Sequence, residues 1–183
     1  MRVSYILILL AILLALGGYY YLSSRPEPAP EPEPRVFVWS VEMEELQYIE
    51  IRLSHEGKSQ AFIKEADRTW HFDDPERSEV DMKRWGGGIP LLLSGPGAER
   101  VIAEDATEGK LAEFGLAEPR MEITVTLEDG TVLNIAVGDW TPDGNAFYMQ
   151  VPGSDDVCLV DYTWYGVIER LVEDPPYVVP STD

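Results

Sequence analysis

Basic residues are scarce in this chain. Fourteen Lys plus Arg stand against 33 Asp plus Glu in 183 residues, a formal net charge of −19. A phosphate backbone needs a clustered basic face, so this balance argues against nucleic acid as a partner, and none is expected. It also argues against a domain that lies flat on an anionic lipid surface. Cysteine is scarcer still. Cys158 stands alone, which excludes an internal disulfide and any zinc or iron–sulfur centre built from cysteines. His55 and His71 are the only imidazoles. What the chain does have is apolar content: 45% hydrophobic residues is too much for a wholly disordered protein.

Much of that content sits at the N-terminus. Val3 to Ser24 carries no charge, and Ile6 to Leu16 is nearly all aliphatic. A helix of that length is about 33 Å long, enough for a hydrocarbon core of about 30 Å. Tyr19, Tyr20 and Tyr21 come next, where amphipathic rings prefer the headgroup level. Residues 1–24 therefore read as a retained transmembrane anchor. A cleaved signal peptide is the competing reading, and Leu22-Ser23-Ser24 leaves a cleavage point open. No cysteine succeeds the run, so a bacterial lipoprotein anchor is excluded. Arg2 precedes the run, and Arg25 with Glu27, Glu31 and Glu33 lies beyond it. The expected orientation places the N-terminus in the cytoplasm and the bulk of the chain outside it.

Residues 25–35 alternate proline with Glu, Ala and Arg. Proline at every second position removes backbone donors and fixes φ, leaving an extended polyproline II rod. Pro26 to Pro34 would span about 28 Å at about 3.1 Å per residue. The linker lifts the rest of the chain off the bilayer.

Residues 36–177 read as one globular domain, with a short tail over 178–183. The region from residue 35 onward keeps 12 basic and 30 acidic residues, so the charge belongs to the domain. Period-two alternation predicts strands at Tyr48–Ser54, Gln60–Glu65, Thr69–Asp73, Arg120–Glu128, Thr131–Val137, Ala146–Val151 and Val157–Asp161, with a short strand at Glu99–Glu104. Asp129-Gly130 is a strong hairpin signal. A helix is expected from Glu79 to Leu93, capped by Ser78 or Asp81 and broken at Gly86-Gly87-Gly88 and Pro90. A short helix spans Thr107 to Phe114, capped by Thr107 and stopped by Gly115. A last helix runs from Tyr162 to Val172. Strands in hairpins with a few helices predict an α+β domain with a mainly antiparallel sheet.

Several residues invite a chemical reading. Asp139 to Asn145 has oxygen donors at positions 1, 3 and 5 and Gly144 at 6, as in a calcium loop, but position 12 is Gln150 and Pro142 is out of place. A strand-to-strand turn is the expected outcome. Asp73-Asp74 and Asp155-Asp156 read as solvated turn residues. Gly86-Gly87-Gly88 lacks the Gly-Lys-Ser/Thr ending of a phosphate loop. Ser54, Ser59 and Ser94 have no nucleophile-elbow pattern around them. Cys158 alternates within a strand as a small buried thiol. No catalytic, cofactor-binding or metal-ligating residue is expected. Of Trp39, Trp70, Trp85, Trp140 and Trp164, the rings placed for exposure are Trp140, beside a turn, and Trp164 with Tyr165, early in the last helix. Most of these rings are nonetheless expected to pack in the core or at its rim.

Phe114-Gly115-Leu116-Ala117-Glu118-Pro119, an alternating strand, Asp129-Gly130, Val137-Gly138-Asp139 and Phe147-Tyr148 form a recognisable series. With Ile49-Glu50-Ile51, Thr69-Trp70-His71-Phe72 and Arg100-Val101-Ile102 upstream, it resembles the domain-of-unknown-function 4340 family over Val38 to Tyr177. The resemblance implies a bacterial envelope domain, often tethered by one N-terminal span and associated with transporter or gliding-type machinery. It brings no catalytic residues. The expected function is a non-enzymatic, membrane-anchored extracytoplasmic domain, an accessory or scaffolding subunit of a membrane protein complex. An envelope ligand-binding or hydrolytic protein is the alternative, and a divalent cation sensor a third option.

Overall fold

The computed structural model describes residues 5, 10–14, 16–18, 36–37, 39–85, 88–98 and 100–178. The chain falls into two compact units, Met1–Pro34 and Arg35–Asp183. In the first, residues 5, 10–14 and 16–18 are helical. Among the described residues no helix is long and apolar enough to cross a membrane. Most of the expected span over 1–24 lies outside the described residues, as do the linker 25–35 and nearly all of the tail 178–183.

The second unit is built on strands β1 (Val36–Phe37), β2 (Leu46–Leu53), β3 (Lys58–Lys64), β4 (Trp70–Phe72), β5 (Gly97–Ala98), β6 (Arg100–Ala103), β7 (Met121–Leu127), β8 (Val132–Trp140), β9 (Ala146–Gln150) and β10 (Val157–Asp161). Its helices are α1 (Met82–Trp85), α2 (Ile89–Ser94), α3 (Glu108–Glu113) and α4 (Tyr162–Glu173), with a 3-10 turn at Met43–Glu45. Eight strands form one sheet in the order β4-β3-β2-β7-β8-β9-β10-β6, and every pairing in it is antiparallel. The α+β expectation with a mainly antiparallel sheet is met. β1 and β5 form a separate ribbon that alternation does not reveal, because two-residue strands carry no period.

Alternation decides which side of the sheet is inside. Ile49, Ile51 and Leu53 on β2, Met121, Ile123, Val125 and Leu127 on β7, and Ile135 and Val137 on β8 are buried on one face. Phe147, Met149, Cys158 and Val160 continue that face across β9 and β10. Helix α4 closes it with Trp164, Tyr165, Ile168, Leu171 and Val172. Each such side chain contributes about 1.5–3 kcal/mol on burial, so this single layer is the main source of stability. Asp161 starts α4, its carboxylate accepting from the Thr163 amide at 2.7 Å.

The expected helix over Glu79–Leu93 is two pieces. Glu79 and Val80 are bridge residues, and α1 begins only after Asp81, which accepts from the Lys83 amide at 2.9 Å. The chain restarts as α2 with Pro90 in its first turn, where a missing N–H is tolerated. Two indoles take up carbonyls at the end of α2. Trp39 Nε1 donates to Leu93 at 2.9 Å, and Trp164 Nε1 donates to Leu92 at 3.0 Å. Trp164 and Tyr165 are both buried, in keeping with the packing expected of most of these rings. Trp140 is 45% exposed, as expected. β8 runs three residues beyond the expected Val137, so Asp139 and Trp140 are strand residues, with a register shift between Val137 and Trp140.

Candidate functional site

Among the described residues, the second face of the sheet is covered on one side only. α3 and the turn after it lay Leu111, Phe114 and Leu116 against Val157, Ala136 and Tyr148. Phe114 packs on Tyr148 with ring centroids 4.5 Å apart. Toward β8, β7 and β2 this covering stops, and a cleft of about 580 Å³ opens on the sheet, walled by residues of the β9–β10 turn.

The register builds the floor of this cleft. Arg52 on β2 lies opposite Glu122 on β7, Glu122 opposite Ala136 on β8, and Ala136 opposite Gln150 on β9. The neighbouring row is Glu50, Thr124 and Asn134. Arg52 sits between two carboxylates, 3.2 Å from Glu50 and 3.5 Å from Glu122. Thr124 Oγ1 donates to Asn134 Oδ1 at 3.4 Å. At the wall, Gln150 Nε2 donates to the Ser154 carbonyl at 3.1 Å and to Asp155 Oδ1 at 3.2 Å. The lining thus holds one guanidinium against the carboxylates of Glu50, Glu122 and Asp155, with amide and hydroxyl groups between them. Such a surface can exchange hydrogen bonds with a polar partner, and its excess of carboxylates favours a basic one.

The residues singled out by sequence chemistry lie elsewhere, apart from Asp155. His71 on β4 has Nδ1 2.8 Å from the Arg77 carbonyl and Nε2 3.0 Å from Thr69 Oγ1. Thr69 Oγ1 is in turn 2.6 Å from Asp67 Oδ1, which also accepts from the Thr69 amide. The hydrogen bond from the Thr69 hydroxyl holds the Asp67 carboxyl below its ordinary value. The group contains a Thr–His pair, but it closes on itself between the β3–β4 turn and the Arg77 carbonyl and does not border this cleft. His55, Ser54 and Ser59 are exposed in or beside the β2–β3 turn, and Ser94 donates to Leu91 at 2.9 Å. The histidines and these serines are not brought together.

The acidic turns are internally satisfied. Asp73 pairs with Arg77 at 2.6 Å, and Asp74 accepts from the Ser78 amide at 2.9 Å. Asp156 accepts from the Asp105 amide at 2.9 Å. Asp143 accepts from Thr141 Oγ1 at 2.5 Å and from Asn145, closing the Thr141–Asn145 turn. Among the described residues no group of three or more His, Cys, Asp or Glu side chains could hold a metal ion. Gly86 and Gly87 lie outside the described residues. Cys158 is buried, and burial pushes its thiol up to about 12.

The turn motifs meet each other in space. Gly115 ends α3 with φ +70°, and the preceding carbonyl, that of Phe114, accepts from the Asp139 amide at 2.9 Å. Asp139 returns to Arg120 Nε at 3.0 Å, and the Arg120 amide donates to Val137 at 2.9 Å. Residues 93–166 match the family model of a domain of unknown function, DUF4340. No curated protein and no solved structure matches the chain. The DUF4340 match runs from α2 into α4, so it is narrower than the resemblance over Val38 to Tyr177. It takes in the docked motifs and most of the cleft, while Glu50 and Arg52 come from β2, outside it.

Sequence reasoning does not single out Arg52, Glu122, Thr124 or Asn134, and it meets Gln150 only as the wrong residue at position 12 of a calcium loop. The signal is there in part. Alternation that buries Ile123 and Val125 turns Glu122 and Thr124 the other way, and the Asp129-Gly130 turn fixes Thr124 opposite Asn134. What alternation does not carry is which outward face a helix then covers.

Proposed function

We propose that this chain is a non-enzymatic, membrane-anchored extracytoplasmic domain whose open sheet face recognises a protein partner within a membrane complex. The observation that carries the reading is the uncovered polar cleft of Arg52, Glu122, Asn134 and Gln150, beside a half of the same face that α3 does cover. The uncharged run from Val3 to Ser24 supports the anchor, and the helical residues 10–14 and 16–18 include exposed Leu10, Ile12, Leu13, Leu14 and Leu16. The proline-rich linker supports a domain held clear of the bilayer. Anchoring would confine the domain to the membrane surface, and the carboxylates of the cleft select a basic or polar surface.

The size of the cleft favours a second reading. At about 580 Å³ it falls within the range of about 300–1,000 Å³ usual for small-molecule sites, as expected of an envelope ligand-binding protein. Photo-crosslinking separates the two. A photoreactive residue at Asn134 in the full chain, in native membranes, is expected to give a discrete adduct with another membrane protein. One at exposed Glu76 is not. Recovery of the chain in the soluble fraction, clipped near Ser24, would overturn the anchor. No adduct from Asn134 would overturn the partner surface.

A further inference from the structure

A second cleft, of about 380 Å³, lies between α1, α2, α4 and the segment after α4. It is built differently from the first. Trp85, Ile89, Leu92, Val167 and Leu171 give it an apolar lining, and its charged groups are Arg84, Arg170 and Asp174. In a domain where carboxylates outnumber basic groups by 30 to 12, a cleft with two guanidiniums and one carboxylate is a local reversal of sign.

The two arginines are held differently. Arg84 is committed: it donates to the carbonyls of Pro175 at 3.2 Å and Asp174 at 3.3 Å, and pairs with the Asp174 carboxylate at 2.6 Å. Arg170 is exposed in the last turn of α4, and among the described residues it has no carboxylate within ion-pair distance. Its fork of donors is therefore available at the edge of an apolar recess. A planar guanidinium matches a carboxylate with two parallel hydrogen bonds. Asp174, in the lining of the same cleft, disfavours a ligand carrying two negative charges, such as a phosphate monoester.

We infer that this cleft binds a singly charged amphiphilic carboxylate, with the head on Arg170 and a short apolar tail against Trp85, Leu92 and Val167. The site is separate from the open sheet face and does not depend on the function proposed there.

Octanoate is the probe, titrated calorimetrically into the full chain in nanodiscs with empty nanodiscs subtracted. Saturable binding is expected for octanoate, with octanamide and inorganic phosphate each at least about tenfold weaker, because a charged hydrogen bond is lost or a second charge meets Asp174. Arg170→Gln, on an exposed helix face, is expected to weaken octanoate about tenfold with an unchanged melting temperature, and Arg170→Lys to recover part of the loss. Val167→Asp, which alters the wall and leaves Arg170 in place, should also abolish binding. Absence of saturable octanoate binding would overturn the inference. So would octanamide binding as tightly as octanoate, or Arg170→Gln binding like the unaltered chain.

Discussion

A β-carbon on Gly138 would lie 2.2 Å from the carbonyl oxygen of Phe114. The close approach is what lets the Phe114 carbonyl accept the Asp139 amide at 2.9 Å, tying the end of α3 to the C-terminal end of β8. Gly115 meets the same strand one residue further on, at Asp139. A β-carbon there would sit 2.7 Å from the Asp139 carboxylate, in a backbone at φ +70°. Phe114-Gly115 and Gly138-Asp139, 23 residues apart in the chain, are thus two halves of one contact. It fixes α3 over β9 and β10, and among the described residues no helix covers β7 and β2 on that face.

Gly138→Ala tests that contact. The obstructing atom is backbone oxygen, so strand and turn must part for the methyl to fit. Overpacking of this kind costs about 1–3 kcal/mol. Gly115→Ala adds left-handed strain to a clash with Asp139 and is expected to cost a similar amount, about 1–3 kcal/mol. Urea unfolding should show lower midpoints for both variants with an unchanged slope. A midpoint equal to that of the unaltered chain would mean the turn is free to move off the strand.

Cys158 should be silent to thiol reagents in the folded protein. Its Sγ lies 3.4 Å from the Met149 carbonyl in the sheet core, and burial has pushed its pKa to about 12. The thiolate that would react is therefore absent at neutral pH, and the path to it is closed. Labelling with a chromogenic disulfide reagent is expected to appear only with unfolding, at the rate of global opening measured in parallel. Fast labelling without denaturant would contradict the packing of β9 on β10.

Two glutamates on α4 should give opposite pH responses. Burial holds the Glu169 carboxyl above its ordinary value, with Glu56 and Glu173 adding to it. The folded state then binds that proton more tightly than the unfolded state, so stability falls as pH rises from the ordinary Glu value through the raised one. Glu173 is held below its ordinary value by the hydrogen bond from Lys58, whose Nζ is 2.5 Å away. Its contribution is present above the unfolded pKa and is lost as pH falls through the lowered folded value. Glu169→Gln should raise the melting temperature at neutral pH, and Glu173→Gln should lower it. Both differences should vanish in strong acid, where both carboxyls are neutral in the folded and the unfolded chain alike.

The legible parts of the fold are those with a local cause. Ile49, Ile51 and Leu53 alternate against polar neighbours, and Thr107 and Gly115 bracket α3 with a cap and a left-handed stop, which needs nothing from the rest of the chain. Local pattern leaves Trp164 open between exposure and packing because its position depends on a distant element. Its indole donates to Leu92, 72 residues earlier, and no local pattern encodes that acceptor. The open cleft is illegible for the same reason. Arg52 and Gln150 share a row only because four strands pair in one register, and the row is bare only because α3 docks elsewhere.

The N-cap of α4 offers the most direct test of how the core is closed. Asp161 is the last residue of β10 and the cap of the helix, accepting from the Thr163 amide at 2.7 Å and from the Thr163 hydroxyl. One carboxylate therefore ends the strand and starts the element that covers it. Asp161→Ala leaves the first-turn amides of α4 to water and should cost about 0.5–2 kcal/mol. Asp161→Asn keeps an acceptor and should recover most of that, since Asn caps about as well as Asp. Because α4 lays Trp164, Ile168 and Leu171 on the sheet, the loss should appear as global destabilisation with coincident transitions by circular dichroism and tryptophan fluorescence. If the fluorescence transition instead precedes the other, α4 opens on its own, and its packing is weaker than its buried side chains imply.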